Sequence, residues 1–464
     1  MMKRAATTLL ILLLGGVSFL TVSAQGNFTG YDMSGIPQTM YNNPALTPKA
    51  KVFVGIPLLS NIKLGYYNTA FSFDDIFLNE PGSDSLYLDL SRVANNNESI
   101  NYISESTTLE LISFGFKVGK SFLSFGVNTN VNVRFFYDSD LIKLAWEGNG
   151  TYLNQDIVLT QTNVFEEHFN KYYAGISVPI GDWLNVGARF NYIQGLSSAY
   201  GENRNTKLRT NVDDELGLYF TGSADFEMNT SGLTYLVSDS ATLEPLDYLM
   251  NFQNSGFSVD LGVDVKINDR FSVQASVTNL GKINWNSYDK TYTSDVKDIY
   301  FDGAYYDLFN DEDEDQDPMD AYLDAWDSIF QITESEKVYS TNLRTNIFAN
   351  GQYTMTNDRH RFNLLFAGRF LEESFEYSFS AGYTYNPYGK FSAKVTYTYM
   401  EHAPLNLGGG FFFNFKPFQI YMMADNIMGM FMWYDQRFLD FRFGLNILIP
   451  DHKKSDIPSE IIDR

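Results

Sequence analysis

The stretch SGFSVDLGVDVKINDRFSVQASVTNLG, residues 255–281, alternates apolar and polar side chains over two runs. The odd positions from Phe257 to Ile267 are apolar, and the positions between them are polar or small. Asn268 and Asp269 interrupt the alternation, which then resumes. A period of two residues predicts β-strands, and a two-residue turn between such runs predicts a hairpin. A strand of about 11 residues is long for a soluble sheet and matches a tilted strand that crosses a bilayer.

Five further hairpins show the same alternation. Their paired runs are 108–118 with 121–136, 170–180 with 183–197, 338–355 with 359–371, 375–386 with 389–400, and 405–416 with 418–425. Single strands at 51–73 and 436–449 precede and follow the hairpins, which brings the count to fourteen. We therefore predict an all-β fold, a transmembrane antiparallel up-and-down β-barrel of about 14 strands with short helices in its outer loops. A secreted β-sandwich is the alternative.

The lengths of the connections favour the barrel. Turns inside the hairpins are short, whereas the long segments all lie between hairpins. These long segments are 74–107, 137–169, 198–256 and 281–337. In an up-and-down barrel they fall on one side, as outer loops do, and both termini fall in the periplasm. Within them, 204–226 has strand character and is expected to extend the wall above the membrane.

The N-terminus has the pattern of an export signal. Lys3 and Arg4 precede an apolar run and the sequence Val-Ser-Ala at 22–24, so we expect a signal peptide cleaved after Ala24. A membrane anchor is the alternative. The mature chain is expected at the cell outer membrane, in contact with outer-membrane lipid. Its expected parts are a periplasmic lead-in or plug at 25–50, the barrel at 51–449 and a periplasmic C-terminal tail at 450–464.

Composition argues against several classes of function. The net charge of -23 argues against nucleic acid as a partner. Aromatic residues make up 16% of the chain, which suits a barrel with aromatic girdles at both membrane interfaces. The four histidines have no metal-ligand spacing and no Gly-x-Ser-x-Gly motif occurs. We predict a protein that is not an enzyme and that carries no cofactor, calcium excepted.

The polar faces of the predicted strands carry charges of both signs. Because charge is costly on a lipid-facing surface, these side chains are expected in the lumen. They are Arg134, Arg189, Asp260, Asp264, Lys266, Arg344, Glu376, Lys390, Lys394, Asp440 and Arg442. We expect them either to fill a narrow interior with ion pairs or to line a polar conduit.

Two short motifs resemble those of a known group of barrels. Asn43-Pro44-Ala45 stands shortly before the first strand, and Asn279-Leu280-Gly281 ends an upward strand. In these motifs and in its topology the chain resembles the fatty-acid-transporter-like (FadL-like and PorV-like) outer-membrane barrels, in a branch typical of Bacteroidota. The resemblance implies fourteen strands and an N-terminal plug that contains Asn43, Pro44 and Ala45. The mixed-charge lumen and an acidic outer loop depart from a lipid transporter.

That acidic loop is the most charged segment of the chain, residues 307–330. Asp311, Asp313, Asp315 and Asp317 are candidate ligands for calcium, which takes carboxylate oxygens. A solvated acidic loop is the alternative. A helix-like stretch follows, whose apolar residues share one face and are candidates for docking on another loop or on a partner. They are Met319, Tyr322, Leu323, Trp326 and Phe330.

Two functions are compatible with these features. The resemblance implies uptake or export of hydrophobic or amphipathic small molecules, and its discriminating feature is an apolar groove that leads to a lateral gap in the wall. The alternative is a non-enzymatic protein-binding accessory of a secretion machine, type IX-like, or of a surface-assembly machine. Its discriminating feature is a loop helix with an exposed apolar face.

Overall fold

The structure is a computed structural model of the 464-residue chain. It describes residues 28–79, 86–94, 101–213, 217–233, 248–301, 329–371, 374–387, 389–401 and 403–450. The signal peptide expected at 1–24 lies outside these residues, as does the expected tail apart from Pro450.

Long antiparallel strands dominate the fold, and each hairpin expected from the alternation is present. In chain order the strands are β1 (Ala50–Gly55), β2 (Ile62–Asn68), β3 (Phe77–Asn79), β4 (Leu86–Leu88), β5 (Asn101–Val118), β6 (Ser121–Tyr137), β7 (Asp156–Val158), β8 (Asn163–Ile180), β9 (Leu184–Asp213), β10 (Gly217–Ser231), β11 (Ser255–Lys266), β12 (Phe271–Trp285), β13 (Asp289–Phe301), β14 (Thr333–Ser335), β15 (Tyr339–Asn342), β16 (Asn346–Thr354), β17 (His360–Phe370), β18 (Phe375–Tyr385), β19 (Phe391–Met400), β20 (Asn406–Phe415), β21 (Phe418–Ala424) and β22 (Phe438–Pro450).

The wall closes on itself because its first and last strands pair. β1 and β2 both pair with β22 on one side and with β5 on the other. Around the wall the order is β1 with β2, β5, β6, β8, β9, β11, β12, β15 with β16, and then β17 to β22. Counted over the described residues, this is a closed barrel of 14 antiparallel strands, as predicted.

The two faces of each wall strand differ in polarity, as β11 illustrates. Phe257 and Leu261 point outward and are 56% and 46% exposed, whereas Ser258 and Asp260 point inward and are each 1% exposed. An apolar exterior with a polar interior is the arrangement of an outer-membrane barrel, because lipid cannot solvate polar groups. The alternation in the sequence therefore identifies the lipid-facing side.

The first wall strand is split, although the sequence predicted one strand over 51–73. Residues 56–61 leave the wall between β1 and β2, where Pro57 lacks an N–H and Leu58 has a φ of 64°. The excursion stays docked on β5, because the Leu58 N–H donates to the Glu110 carbonyl and the Glu110 N–H donates to the Asn61 carbonyl. The split brings Asn61 to the lumen cavity.

At the end of the barrel opposite the tight hairpin turns, part of the wall continues beyond the barrel as an extension of the same sheet. β9 is 30 residues long, and its end pairs with β10, which pairs with β13 and through it with β14. The strand character predicted for 204–226 is confirmed here. We call this sheet the outer extension; its buried cluster contains Leu208, Ala224 and Ile299, with Phe226 and Phe330 packed against it.

Helices are short and lie in the connections or inside the lumen. The α-helices are Phe73–Ile76, Ser91–Ala94, Ser139–Glu147 and Met428–Phe431, and the 3-10 turns are Pro37–Tyr41, Asn149–Tyr152 and Trp433–Asp435. Over the described ranges, no helix has the length and apolar character needed to cross a membrane.

Candidate functional site

The segment before the first strand lies inside the barrel. We call residues 28–48 the luminal segment; most of its side chains are buried. The N–H groups of Phe28 and Thr29 donate to the Asp425 carboxylate at 3.1 and 2.7 Å. The Lys394 ammonium donates to the Asp32 carboxylate, and both side chains are at most 1% exposed. A buried ion pair and two charge-assisted hydrogen bonds thus attach one end of the segment to the wall.

The Asn43-Pro44-Ala45 motif lies against a part of the wall that has no side chains. Gly187 and Gly262 are paired across β9 and β11, and a Cβ on either glycine would overlap the Asn43-Pro44-Ala45 backbone or the Asn43 side chain. The Asn43 amide donates to the carbonyls of Val263 and Ala275 at 3.2 and 3.4 Å. The two glycines therefore allow the motif to reach backbone acceptors of the wall.

Arg189 links the luminal segment to the lumen wall. Its guanidinium donates to the Met40 carbonyl and lies 3.4 Å from the Asp260 carboxylate. It also lies 5.0 Å from the ring centroids of Tyr41 and Tyr173, a cation–π distance. This one side chain thus holds the part of the segment that forms the floor of the cavity described next.

A cavity of about 150 Å³ occupies the middle of the lumen above the luminal segment. Its floor is formed by Tyr41 and Asn42. Most of its lining side chains are polar, and many are asparagines. In the described part of the chain, its cationic lining residues are Lys63, Lys171, Arg189, Arg344, Arg369 and Arg442, and Glu167 is its anionic lining residue.

Carboxylates stand beside or behind several of these cations. Arg344 lies 3.8 Å from Glu167, and Arg369 lies 3.7 Å from Glu376. The Asp440 carboxylate lies close enough to the Lys63 ammonium and the Arg442 guanidinium to interact with both electrostatically. Of these three carboxylates Glu167 lines the cavity, whereas Glu376 and Asp440 are not among its lining residues.

An arc of aromatic rings lies on the outer side of this cavity. It crosses neighbouring wall strands, with centroid distances of 6.4 Å from Phe438 to Tyr67, 5.6 Å from Tyr67 to Tyr102, 5.1 Å from Tyr102 to Phe136 and 5.4 Å from Phe136 to Phe165. All five rings are buried. The arc therefore fills part of the lumen with packed rings, while the floor of the cavity is formed by the luminal segment.

The wall is irregular beside the cavity. Asn279 in β12 has a φ of 61°, and opposite it residues 343–345 separate β15 from β16. We call this place the wall break. The Asn279 N–H donates to the Asp260 carboxylate at 2.6 Å, and the Lys171 ammonium donates to its side-chain oxygen. Thr345 donates to its carbonyl at 3.3 Å. Asn279 thus joins the cavity cations to the wall break.

A groove of about 530 Å³ lies at the wall break and is lined partly by lipid-facing residues. Leu280 and Phe370 line it and are 55% and 52% exposed. Leu343 and Arg344 line both this wall groove and the lumen cavity. Two side chains therefore separate the charged interior from a partly apolar depression in the lipid-facing wall.

Most of the charged residues predicted to face the lumen are buried inside the barrel. Arg134, Arg189, Asp260, Arg344, Lys394, Asp440 and Arg442 are all below 9% exposure, and Glu376 and Asp264 are partly buried. Two placements differ from the expectation. Lys266 is 54% exposed and paired with Asp269 in its own turn, and Lys390 is exposed in the turn before β19. Both lie at the rim, where the lumen opens to water and alternation no longer decides burial.

The residues expected to bind calcium or a partner fall largely outside the described residues. These are Asp311, Asp313, Asp315 and Asp317, and Met319, Tyr322, Leu323 and Trp326. Phe330 is described, and its ring lies 6.5 Å from that of Phe226 in the outer extension. Among the described residues, no group of three acidic or histidine side chains is placed to hold a metal ion.

Sequence reasoning missed several residues of the cavity. Lys63, Glu167, Lys171 and Arg369 line it, and none was singled out. Glu110 was also missed; its carboxylate accepts hydrogen bonds from Ser60, Ser113, Gln38 and Tyr41. All five lie on inward-facing positions of wall strands, so a complete count of charges on the polar faces would have found them.

Three solved structures resemble the chain in fold. They are the Ralstonia pickettii toluene transporter TbuX (9% identity, 92% of this chain and 99% of that chain, TM-score 0.43), the Pseudomonas putida toluene transporter TodX (10%, 92% and 97%, 0.40) and a Pseudomonas aeruginosa FadL homologue (12%, 93% and 99%, 0.40). At these identities and TM-scores the likeness carries no argument about function.

Sequence comparisons are more specific about family. No protein of curated function matches the chain significantly. The model of a family of unknown function, DUF5723, matches residues 44–425, which include Pro44 and Ala45, the wall break and the lining of the cavity apart from Tyr41, Asn42 and Arg442. The chain therefore belongs to this family of unknown function, DUF5723.

Proposed function

We propose that the protein is a gated outer-membrane channel that passes small amphipathic molecules between its lumen and the lipid-facing wall. One observation carries this proposal. Leu343 and Arg344 line both the lumen cavity and the wall groove, so a small movement at the wall break joins the two spaces. Because the rest of the described wall is closed, the wall break is the shortest sideways route from the lumen to the lipid-facing surface.

The polarity of the lumen cavity and of the wall groove supports an amphipathic molecule as the transported substrate. The cavity is lined mainly by charged and amide side chains, whereas Leu280 and Phe370 give the groove exposed apolar surface. A molecule with a polar head and a short apolar part fits both environments at once, because each part keeps the surroundings it prefers. A purely apolar molecule would have to strip water from the cavity cations without replacing it.

The luminal segment supports gating. It is attached through Asp425, Lys394 and Arg189 and forms the floor of the cavity. Passage to the periplasm therefore requires part of this segment to move, and we assign it the role of the plug. The accessory role has less support, because the described member of the docking set, Phe330, packs within the outer extension.

Dye uptake tests the proposal. Phenylnaphthylamine and anilinonaphthalene sulfonate share one skeleton and differ by an anionic group, and both fluoresce on reaching an apolar environment. Uptake is measured in cells of a porin-deficient Gram-negative host that express the protein. We expect faster uptake of at least the sulfonate than in cells with an empty vector.

Leu343 provides the decisive variants. Leu343→Ala removes part of the partition between cavity and groove and is expected to raise uptake, whereas Leu343→Phe is expected to lower it. Leu407→Ala is the matched control, because Leu407 is a lipid-facing leucine on β20, 49% exposed and remote from the break. Uptake equal to the empty vector, or equal effects at Leu343 and Leu407, would refute the lateral route.

A further inference from the structure

β21 is shorter than the wall strands on either side of it. It has seven residues, Phe418–Ala424, whereas a tilted strand needs about 9–11 residues to cross the apolar core of a membrane. It ends at Ala424, which pairs with Gly409 of β20, and β20 extends past this pair to Asn406. β22 likewise starts at Phe438, beyond its last pair with β21. The connection from β21 to β22 therefore leaves the wall below the outer ends of both neighbours.

Residues 427–434 of this connection, which we call the apolar turn, pack on the lipid-facing side of β20. Gly409 is at an outward position of that strand, between the exposed Leu407 and Phe411. The Ile427 side chain fills the space that a Cβ on Gly409 would need, and the Ile427 N–H donates to the Leu407 carbonyl at 2.7 Å. The apolar turn therefore starts on the outside of the wall and not inside the lumen.

A second contact of the apolar turn lies on the lipid-facing side of β22. Leu439 is at an outward position, because its neighbours Phe438 and Asp440 face the lumen. Leu439 is nevertheless only 5% exposed, whereas Ile449 at an outward position of the same strand is 48% exposed. Gly429 explains the difference, since a Cβ on Gly429 would overlap the Leu439 side chain. The backbone of the apolar turn therefore lies directly on the outward face of β22.

The height of these contacts places them within the apolar band of the membrane. Phe415 lies in a row of rings with Phe413 and Phe418 at the tight-turn end of the wall, and such aromatic girdles mark the membrane interface. Gly409 is six residues from Phe415 along β20. At about 3.4 Å per residue and a tilt of about 40°, this separation is about 15 Å in height. The apolar band is about 25 Å tall, so the contact of Ile427 with Gly409 lies inside it.

Hydrogen bonds within this connection suit an apolar environment. The Met432 N–H donates to the Met428 carbonyl at 2.8 Å, and the Gly429 N–H donates to the Asn426 side-chain oxygen at 3.2 Å. The Asn426 amide in turn donates to the Phe438 carbonyl of β22 at 2.8 Å. Backbone groups in hydrocarbon must find partners within the protein, whereas a loop in water does not require such pairing. The apolar turn therefore meets the condition that a membrane sets for irregular backbone.

The surface that the apolar turn presents away from the wall is also apolar. None of residues 427–434 is charged, and Asp435 is the first charged residue after them. The exposed side chains of the apolar turn are Met428, Met430, Phe431, Trp433 and Tyr434. A contiguous surface of this kind needs an apolar partner. Because it continues the lipid-facing face of the wall at the height of the apolar band, the partner that the structure supplies is membrane hydrocarbon.

We propose that the apolar turn is embedded in the outer leaflet of the membrane, where its exposed side chains bind the acyl chains of lipid. The turn takes the place of the missing outer part of β21, because Ile427 and Asn426 bond to the strands on either side. It also brings lipid close to Asp425, whose carboxylate holds the start of the luminal segment. The proposal is independent of the channel function, because it concerns the outer surface of the wall.

Cysteine labelling of the purified full chain, which has no cysteine of its own, tests the proposal. Phe431→Cys, Leu364→Cys and Leu218→Cys place single thiols in the apolar turn, on the lipid-facing side of β17 and on the outer extension. The parent side chains are 76%, 70% and 52% exposed. Each variant is placed in phosphatidylcholine nanodiscs, whose two faces are open to water, and treated with a charged maleimide. We expect Phe431→Cys to label as slowly as Leu364→Cys and at least about tenfold more slowly than Leu218→Cys, because a thiol in hydrocarbon does not ionise.

Fluorescence quenching reads acyl contact directly. Nanodiscs are prepared with a phosphatidylcholine that carries bromine on one acyl chain, which quenches tryptophans that touch it. Trp433 is suited to this measurement because it is exposed and its ring is held edge-on to that of Phe73 at 5.1 Å. We expect brominated lipid to quench less of the fluorescence in Trp433→Phe than in the parent. Trp285→Phe is the matched control and should leave no such difference, because Trp285 is fully buried.

Three results would overturn the proposal. Labelling of Phe431→Cys as fast as Leu218→Cys would place the apolar turn in water. Fast labelling in nanodiscs with slow labelling in the membranes of the expressing cells would show that a partner protein covers it. Equal effects of Trp433→Phe and Trp285→Phe on quenching would show that no acyl chain touches it. Thiol reactivity is checked after unfolding by heat in dodecyl sulfate, where the three variants should label equally, and folding by the shift of the unheated barrel on gel electrophoresis.

Discussion

The ion pair between Lys394 and Asp32 predicts how tightly the luminal segment is held. Both side chains are buried, so Lys394→Met leaves the Asp32 carboxylate without its main counter-charge. Breaking a buried pair in this way costs about 3–5 kcal/mol. The Arg361 guanidinium lies 3.5 Å from the Asp32 carbonyl and can shift toward the carboxylate, which favours the lower end of this range.

The assay uses the absence of cysteine from the chain. A single thiol is introduced as Met33→Cys, where the side chain is 2% exposed and packs with Phe412 and Tyr421. A water-soluble maleimide reaches this thiol only when the segment opens, so the labelling rate reports the opening equilibrium. A loss of about 3 kcal/mol then accelerates labelling roughly a hundredfold.

Two further variants test whether loss of the buried ion pair is the cause of the faster labelling. Asp32→Asn together with Lys394→Met removes both charges and is expected to restore most of the slow labelling. Lys390→Met, an exposed lysine in the turn before β19, is expected to change nothing. If Lys394→Met labels as slowly as the parent, or if the double variant labels as fast as Lys394→Met, the buried pair does not hold the segment.

Three other substitutions test the wall. Gly262→Val places a side chain where Asn43 lies, so the luminal segment should open and the Met33→Cys thiol should label faster, while the barrel still runs as a folded band on gel electrophoresis. Asn279→Val is expected to cost about 1–3 kcal/mol in urea unfolding because Asn279 has a φ of 61°, whereas Asn279→Gly keeps that conformation accessible. Trp285→Phe removes the 3.0 Å hydrogen bond from the Trp285 indole N–H to Thr341 and should lower the free energy of unfolding, measured in urea, by about 1 kcal/mol. We expect Thr341→Val to lower it by the same amount, and the double variant to show no further loss.

Strand pairing in the wall follows closely from the sequence. The alternation of Phe257, Val259 and Leu261 with small or polar neighbours specifies both a strand and its lipid-facing side, because successive side chains point to opposite faces. Tight turns between such runs specify the partner strand. These are local signals, and the fourteen strands predicted from them match the fourteen wall strands that the described residues form.

The alternation along the sequence does not predict the wall correctly where the lipid-facing side changes between odd-numbered and even-numbered positions. At Asn279 the lipid-facing side passes from odd positions such as Val277 to even positions such as Leu280, because a residue with positive φ shifts the pleat by one. The split of the first strand at Pro57 and Leu58 has the same origin. Each irregularity lies beside the cavity, and each depends on contacts with distant strands that hold it in place.

The sequence by itself determined a closed barrel with charged side chains turned inward, because that information is carried by near neighbours along the chain. Tertiary structure decided the site. Lys63 and Arg442 are almost four hundred residues apart in sequence and line one cavity because closure of the wall places β2 beside β22. The luminal segment, lacking any period of its own, takes its position from Asp425, Lys394 and the paired glycines at 187 and 262. The ammonium and guanidinium groups that line the cavity lie on separate strands, and only closure of the barrel brings them together around one space.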